Sequence, residues 1–170
     1  MSSPAARRLC LAAAIAALAA AGCGFQLRGE ATTGLRSIHV SAAVPSQVAV
    51  EVRRQLSGGP TKLVASVKES EAHVRILSES TEKLIQSLTG TGRVFDYQLR
   101  LRVEFQVTDA AEKVLVPPAE IGLQRVISYS ETAPLAKEAE ERLLYDEMRA
   151  EAATRILRRI AVVRAGAAQP

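Results

Sequence analysis

From Phe95 to Thr108 the chain alternates without a break. Phe95, Tyr97, Leu99, Leu101, Val103, Phe105 and Val107 fill the odd positions, and Asp96, Gln98, Arg100, Arg102, Glu104, Gln106 and Thr108 the even ones. A period of two puts all the apolar side chains on one face, so this is a strand with one dry and one wet side. At about 3.3 Å per residue its fourteen residues reach roughly 46 Å, far beyond the common strand of 5 to 6 residues. The preceding run, 72 to 87, is similarly long, and Thr89-Gly90-Thr91-Gly92 supplies glycines for the positive φ of a tight loop. The two pair as a long antiparallel ribbon.

The remaining pattern is shorter-ranged. A strand forms around Ile38-His39-Val40; Pro45-Ser46 then punctuates the chain, with Ser46 placed to cap a helix over 47–56. Val48, Val52 and Leu56 make its apolar stripe, and Gly58-Gly59-Pro60 ends it. A second strand is expected over 62–67, then a polar turn over 68–71. Beyond Pro117-Pro118, residues 120–130 read as a further strand, weakened by Gly122 and by Arg125 among its odd apolar positions. Thr132 and Pro134 open a last helix with a hydroxyl cap and a proline in the first turn. Glu138, Glu140 and Glu141 near its start and Arg155, Arg158 and Arg159 near its end complement the helix dipole. Leu144, Met148, Ala152, Ile156 and Ile160 recur every four residues to about 163. The fold class is therefore α+β: a two-layer sandwich, two helices packed on one face of a mixed, mostly antiparallel four- to five-stranded sheet with a long hairpin. The places of the first two strands in that sheet stay open, a parallel pairing between them requiring a right-handed crossover.

The first 22 residues follow a different rule. Arg7 and Arg8 precede an unbroken apolar run, Leu9 to Ala21, that closes on Ala21-Gly22-Cys23. Those 13 residues fall short of the roughly 20 that a bilayer span needs, so the run reads as an export signal. Ala20 stands where the usual lipobox has leucine, which keeps a plain secretory signal as the rival reading. With a small residue at each of 20, 21 and 22, the expected organisation is a lipoprotein signal over 1–22, a lipidated tether from Cys23 over 23–34, a domain over 35–164 and a flexible tail over 165–170. Without residues 1–22 the 170-residue chain keeps 148, enough for one domain with its own core.

Charge and cysteine content narrow the function. The signal holds two of the 22 basic residues and none of the 18 acidic ones, so the net charge falls from +4 to +2. Cys10 leaves with the signal and Cys23 is blocked by lipid, leaving no thiol for a disulfide, a metal site or a nucleophile. His39 and His73 each sit within a strand, with no Cys, Asp or Glu at ligand spacing. Ser57-Gly58-Gly59-Pro60 is not a nucleophile elbow, and Gly90-Thr91-Gly92 lacks the third glycine and the strand-to-helix context of a dinucleotide loop. Asp96 and Glu104 share a face but lie eight residues apart, too far for a carboxylate pair. No catalytic residue, metal ligand or cofactor is expected beyond the lipid on Cys23. Arg75, Arg93, Arg100, Arg102 and Arg125 fall on or beside strands, a display that suits phosphorylated glycolipids because a guanidinium holds phosphate bidentately. Plain solubility explains the same pattern.

Three segments decide between these readings. Cys23-Gly24-Phe25-Gln26-Leu27-Arg28-Gly29 resembles the Cys-Gly-aromatic-x-Leu-Arg opening of the LptE family of lipopolysaccharide-assembly lipoproteins. Phe95-Asp96-Tyr97-Gln98-Leu99 is similar to that family's Glu/Asp-Tyr-Gln-aliphatic strand, and Leu135-Ala136-Lys137-Glu138 to the start of its C-terminal helix. The element order agrees across the mature chain. The resemblance implies a non-enzymatic lipoprotein on the periplasmic side of the outer membrane, which plugs the lipopolysaccharide-exporting β-barrel LptD, helps it assemble and binds lipopolysaccharide in transit. Gly24 agrees with that address, the inner-membrane retention signal being Asp at this position. It further implies lipopolysaccharide contact at Lys137, early in the last helix, and at the basic residue of the hairpin tip, for which Arg93 is the nearest candidate, with Arg100 and Arg102 on the adjoining strand. LptD, lipopolysaccharide and the outer membrane are the implied partners, with no nucleic acid. An adaptor of another envelope assembly complex is the alternative.

Overall fold

The computed structural model describes residues 33–167; the signal, Cys23, the tether as far as Thr32 and the last three residues lie outside the described residues. The chain runs β1 (Ser37–Ala42), α1 (Gln47–Ser57), β2 (Lys62–Leu63), β3 (Ala72–Leu88), β4 (Val94–Thr108), β5 (Val114–Ser128) and α2 (Pro134–Ala167). The strands form one sheet in the order β2-β1-β3-β4-β5, with β1 parallel to both its neighbours and the rest antiparallel. The α+β two-layer sandwich is thus borne out, with five strands and both helices on one face.

The dry face is built as the alternation requires. Leu99, Leu101, Val103, Phe105 and Val107 of β4 are fully buried, joined by Ile38, Val74, Ile76 and the odd apolar residues of β5. Onto them α1 lays Val48, Ala49, Val52 and Leu56, and α2 lays Met148, Ala152, Ala153, Ile156, Leu157 and Ile160. Ser46 caps α1 as expected, its hydroxyl accepting from the Ala49 amide at 3.0 Å. Glu79 of β3 adds to the cap: its carboxylate accepts from the Ser46 hydroxyl at 2.6 Å and the Val48 amide at 3.0 Å. The same carboxylate lies 3.5 Å from Arg149 Nε of α2, at ion-pair distance but without hydrogen-bond geometry. One nearly buried acid therefore ties both helices to the sheet.

Four local expectations are corrected. β2 is two residues long rather than six, because its side chains are exposed and Ser66 turns the chain into a 3-10 turn over Val67–Glu69. β5 starts at Val114 and runs through Pro117-Pro118. Phe105 pairs with Ala119 and Val107 with Val116, so both prolines oppose the single residue Gln106. On an edge strand at such a bulge their missing N–H groups interrupt no ladder. The Thr132 hydroxyl pairs with that of Ser130 at 3.1 Å instead of capping α2, whose first bond runs from the Lys137 amide to the Ala133 carbonyl at 3.1 Å. The helix continues past residue 163, to Ala167. In the ribbon loop only Gly92 takes a positive φ, of 80°.

A second bulge decides what the sheet displays. The β3–β4 register shifts between Ile76 and Ser78. After the shift Ser78, Ser80 and Glu82 stand opposite Glu104, Arg102 and Arg100 on the face away from the helices. Glu79, Thr81 and Lys83 turn toward the helix layer. β1 accompanies β3 only as far as Ile76; beyond that, β3, β4 and β5 continue as a three-stranded ribbon.

Candidate ligand-binding surfaces

The helix-free face carries the two arginines that the alternation of β4 pointed outward. Arg102 stands in register with Gly122 of β5 and Arg100 with Gln124. Because Gly122 has no side chain, a groove of about 350 Å³ opens there, lined by Arg100, Arg102, Gly122, Gln124 and the backbone neighbours Leu101 and Leu123. The glycine is not forced by crowding: a Cβ would meet nothing nearer than Glu120 Oε1 at 4.0 Å. The Arg100 Nε donates to Gln98 Oε1 at 2.5 Å, and among the described residues Arg102 makes no ion pair. Two guanidinium groups beside a notch, with a neutral amide on its far wall, can take a phosphate or carboxylate from solvent.

Lys137 belongs to a different site, at the far end of the ribbon. Its ammonium donates to Ser128 Oγ at 3.0 Å and Glu140 Oε2 at 2.8 Å. It lines a cavity of about 250 Å³ with Lys83, Tyr97, Tyr129, Glu138 and Glu141. Tyr97 and Tyr129 meet edge to face with centroids 5.8 Å apart, and Lys83 Nζ sits 4.5 Å above the Tyr97 ring while pairing with Glu141 at 2.5 Å. Three carboxylates around two ammonium groups leave no net positive charge, so an anion entering here must displace a glutamate. The aromatic walls and mixed donors equally suit the apolar and hydroxyl faces of a sugar.

The structure separates the other expected basic residues. Arg93 pairs with Glu131 of the β5–α2 loop, which ties the ribbon tip to the end holding Lys137, without lining its cavity. Arg75 is exposed on the helix-free face. Arg125 is a correction: it shares the odd face of β5 with Ile121, Leu123 and Ile127 and reaches Glu151 of α2 at 2.6 Å. That arginine, with Arg155 also at 2.6 Å, holds the Glu151 carboxyl below the usual range. It is a strut between sheet and helix, not part of the display. Sequence reasoning missed Lys83 and Tyr129. The bulge at Leu77 sets the side on which Lys83 emerges, and no local pattern announces it. His39 and His73 are sheet residues as expected, 5.0 Å apart.

The fold and these surfaces define a two-layer α+β module that covers one sheet face with helices and presents the other. Residues 35–160 match the family model described as LptE, lipopolysaccharide-assembly, and the chain belongs to that family. It is 29% identical over 161 residues to the LPS-assembly lipoprotein LptE of Pectobacterium atrosepticum, covering 92% of this chain and 86% of the relative. To the protein of the same name from Yersinia pestis it is 30% identical over 163 residues, covering 94% and 78%. Among solved structures it is similar to an uncharacterized lipoprotein B from Nitrosomonas europaea, with TM-score 0.73 and 31% identity over 84% of this chain and 94% of the other. It is also similar to the rare lipoprotein B of Shewanella oneidensis, with TM-score 0.67 and 29% identity over 76% and 97%.

Proposed function

We propose that this chain is a non-enzymatic lipoprotein of the outer membrane, acylated on Cys23 and facing the periplasm. It plugs the lipopolysaccharide-exporting barrel LptD, assists its assembly and binds lipopolysaccharide during transport. One observation carries the reading beyond family membership: a helix-free sheet face, bearing the Arg100–Arg102 groove, continues into a ribbon whose apolar side chains outlast their helical cover. Inside a barrel both features acquire something to touch. Among the described residues no helix is long and apolar enough to cross a membrane. In this reading the groove takes a phosphate of the glycolipid, the Lys137 cavity a neighbouring sugar or phosphate, and Arg93 contributes only after leaving Glu131.

Two measurements test it. A photo-crosslinker in place of Leu88, at the ribbon tip, is expected to capture LptD in intact cells; capture of a different barrel or complex moves the protein to the adaptor class. Binding of purified lipopolysaccharide is expected to weaken in Arg102→Glu and Lys137→Glu. It is also expected to weaken in Gly122→Val, which fills the groove with a residue that strands favour. Unchanged affinity in all three, with unchanged thermal unfolding, removes the groove and the cavity from the function.

A further inference from the structure

A further cavity lies at the opposite end from the ribbon tip and belongs to neither surface above. It measures about 440 Å³, is walled by apolar side chains including Leu35, Leu115, Ile160 and Val163, and is also lined by Glu71, Asp109 and Arg164. That volume is in the range of pockets that enclose a small ligand, roughly 300 to 1,000 Å³. It sits where the chain enters the fold. Thr33 is 1% exposed and its hydroxyl bonds that of Thr61 at 2.9 Å. Gly34 bends with φ 68°, its Cβ position 3.8 Å from the Arg164 side chain, and Leu35 is already a wall of the cavity. Whatever precedes Thr33 therefore departs from the cavity's own lining.

We propose that this cavity seats the Phe25–Arg28 segment of the same chain, with Phe25 and Leu27 as the buried side chains. In an extended segment residues two apart share a face, so Phe25 and Leu27 can enter together while Gln26 and Arg28 stay outside. The six Cα-to-Cα steps from Leu27 to Thr33 reach about 20 Å when extended, enough to line the cavity from its edge. Charge is compatible: with Glu71 already held by Arg36 at 3.0 Å, Asp109 and Arg164 of the lining offer charges opposite to those of Arg28 and Glu30. The docking does not depend on acylation of Cys23, but its consequence does. A seated segment leaves only Cys23-Gly24 as free tether, which draws the base of the sandwich onto the lipid surface and directs the ribbon away from it.

The chain has no tryptophan, so Phe25→Trp introduces a unique indole. In the full-length acylated protein, reconstituted in phosphatidylcholine vesicles with brominated acyl chains, the expected result is an indole shielded several-fold from acrylamide relative to one placed by Val50→Trp on exposed α1. It is also expected to escape quenching by the bromines. Quenching by the bromines puts the segment in the bilayer, free access of acrylamide puts it in water, and either overturns the proposal. Independently, with Cys23 verified as acylated by intact mass, Leu27→Cys combined with Ala111→Cys is expected to form a disulfide under mild oxidation, whereas Leu27→Cys with Val50→Cys is not. Equal yields in the two pairs also overturn it.

Discussion

β4 carries two phenylalanines ten residues apart on the same parity, Phe95 and Phe105, and the structure treats them oppositely. Phe105 is fully buried beneath the helices; Phe95 is 57% exposed. The difference belongs to the cover, not to the strand. At the base of the sandwich α1, whose start meets β3 at Glu79, and the long C-terminal part of α2 close over the sheet. Along the ribbon only the first turns of α2 remain, and Ile85, Leu88, Phe95, Tyr129 and Leu135 stand in solvent. Alternation specifies which face is apolar; it does not specify what covers it. Apolar side chains that a chain keeps uncovered can mark a surface with a partner, and here they lie on the ribbon proposed to enter the barrel.

The largest expected effect breaks this comparison if it is wrong. Phe105→Ala should cost about 4 kcal/mol of stability, the usual loss for a large aromatic deleted from a packed core, read as a lower urea midpoint. Phe95→Ala should shift the midpoint by no more than about 0.5 kcal/mol and instead diminish crosslinking from the ribbon tip. Comparable losses in the two variants would show that the ribbon is part of the cooperative core. Next in size is Glu79, the junction between the two halves. Glu79→Ala removes an acceptor from the α1 cap and leaves Arg149 with Asp146, 2.8 Å away, as its remaining carboxylate, for a loss of about 2 kcal/mol. Glu79→Gln keeps the shape but not the charge and should fall between. An indistinguishable midpoint for Glu79→Ala would reduce the Glu79–Arg149 contact to proximity.

A smaller effect, of opposite sign, lies in the β4–β5 turn. Glu112 holds φ at 62° without being glycine, while Asp109 Oδ1 accepts from the Ala111 and Lys113 amides at 2.9 Å each to hold the loop. Relieving a left-handed residue is worth about 1 kcal/mol, so Glu112→Gly should raise the urea midpoint. Ala at the same position should not.

Much of this was legible in the chain, and the failures share a cause. The seven alternations of β4, the stripe of α1 with its Ser46 cap and the four-residue recurrence in α2 are local signals, and the structure keeps all of them. Register is not local. The bulge at Leu77 turns Lys83 toward Tyr97, and the bulge at Pro117-Pro118 lets an edge strand absorb residues that would end a central one. Arg125 looked like displayed charge because its acid partner, Glu151, lies on α2 and is visible only once the helix is docked. For the candidate surfaces, Arg100 and Arg102 followed from parity alone, while the groove beside them depends on which residue of β5 stands opposite Arg102.

The weakest expected effect is a pH slope at the base, where the helix-free face is partly covered. His73 is 6% exposed, hydrogen-bonded through Nε2 to Ser41 Oγ at 2.7 Å, with its ring 5.0 Å from that of His39 and tilted 57° to it. Burial, reinforced by the neighbouring His39 and Arg75, lowers its pKa below the ordinary 6.5, and Glu112 acts against this. The unfolded chain therefore takes up a proton at this site before the folded one does, so stability falls as pH drops below about 6.5 and the loss is complete once pH passes below the folded value. His73→Gln keeps a polar side chain beside Ser41 and should flatten the urea midpoint between pH 7 and pH 5. Glu112→Gly should steepen it, because the turn's one acid that favours the imidazolium is gone. The two responses sharpen the contrast between the ends of the molecule: the base answers to pH through a buried imidazole, and Phe95→Ala, at the ribbon, should leave the slope as it was.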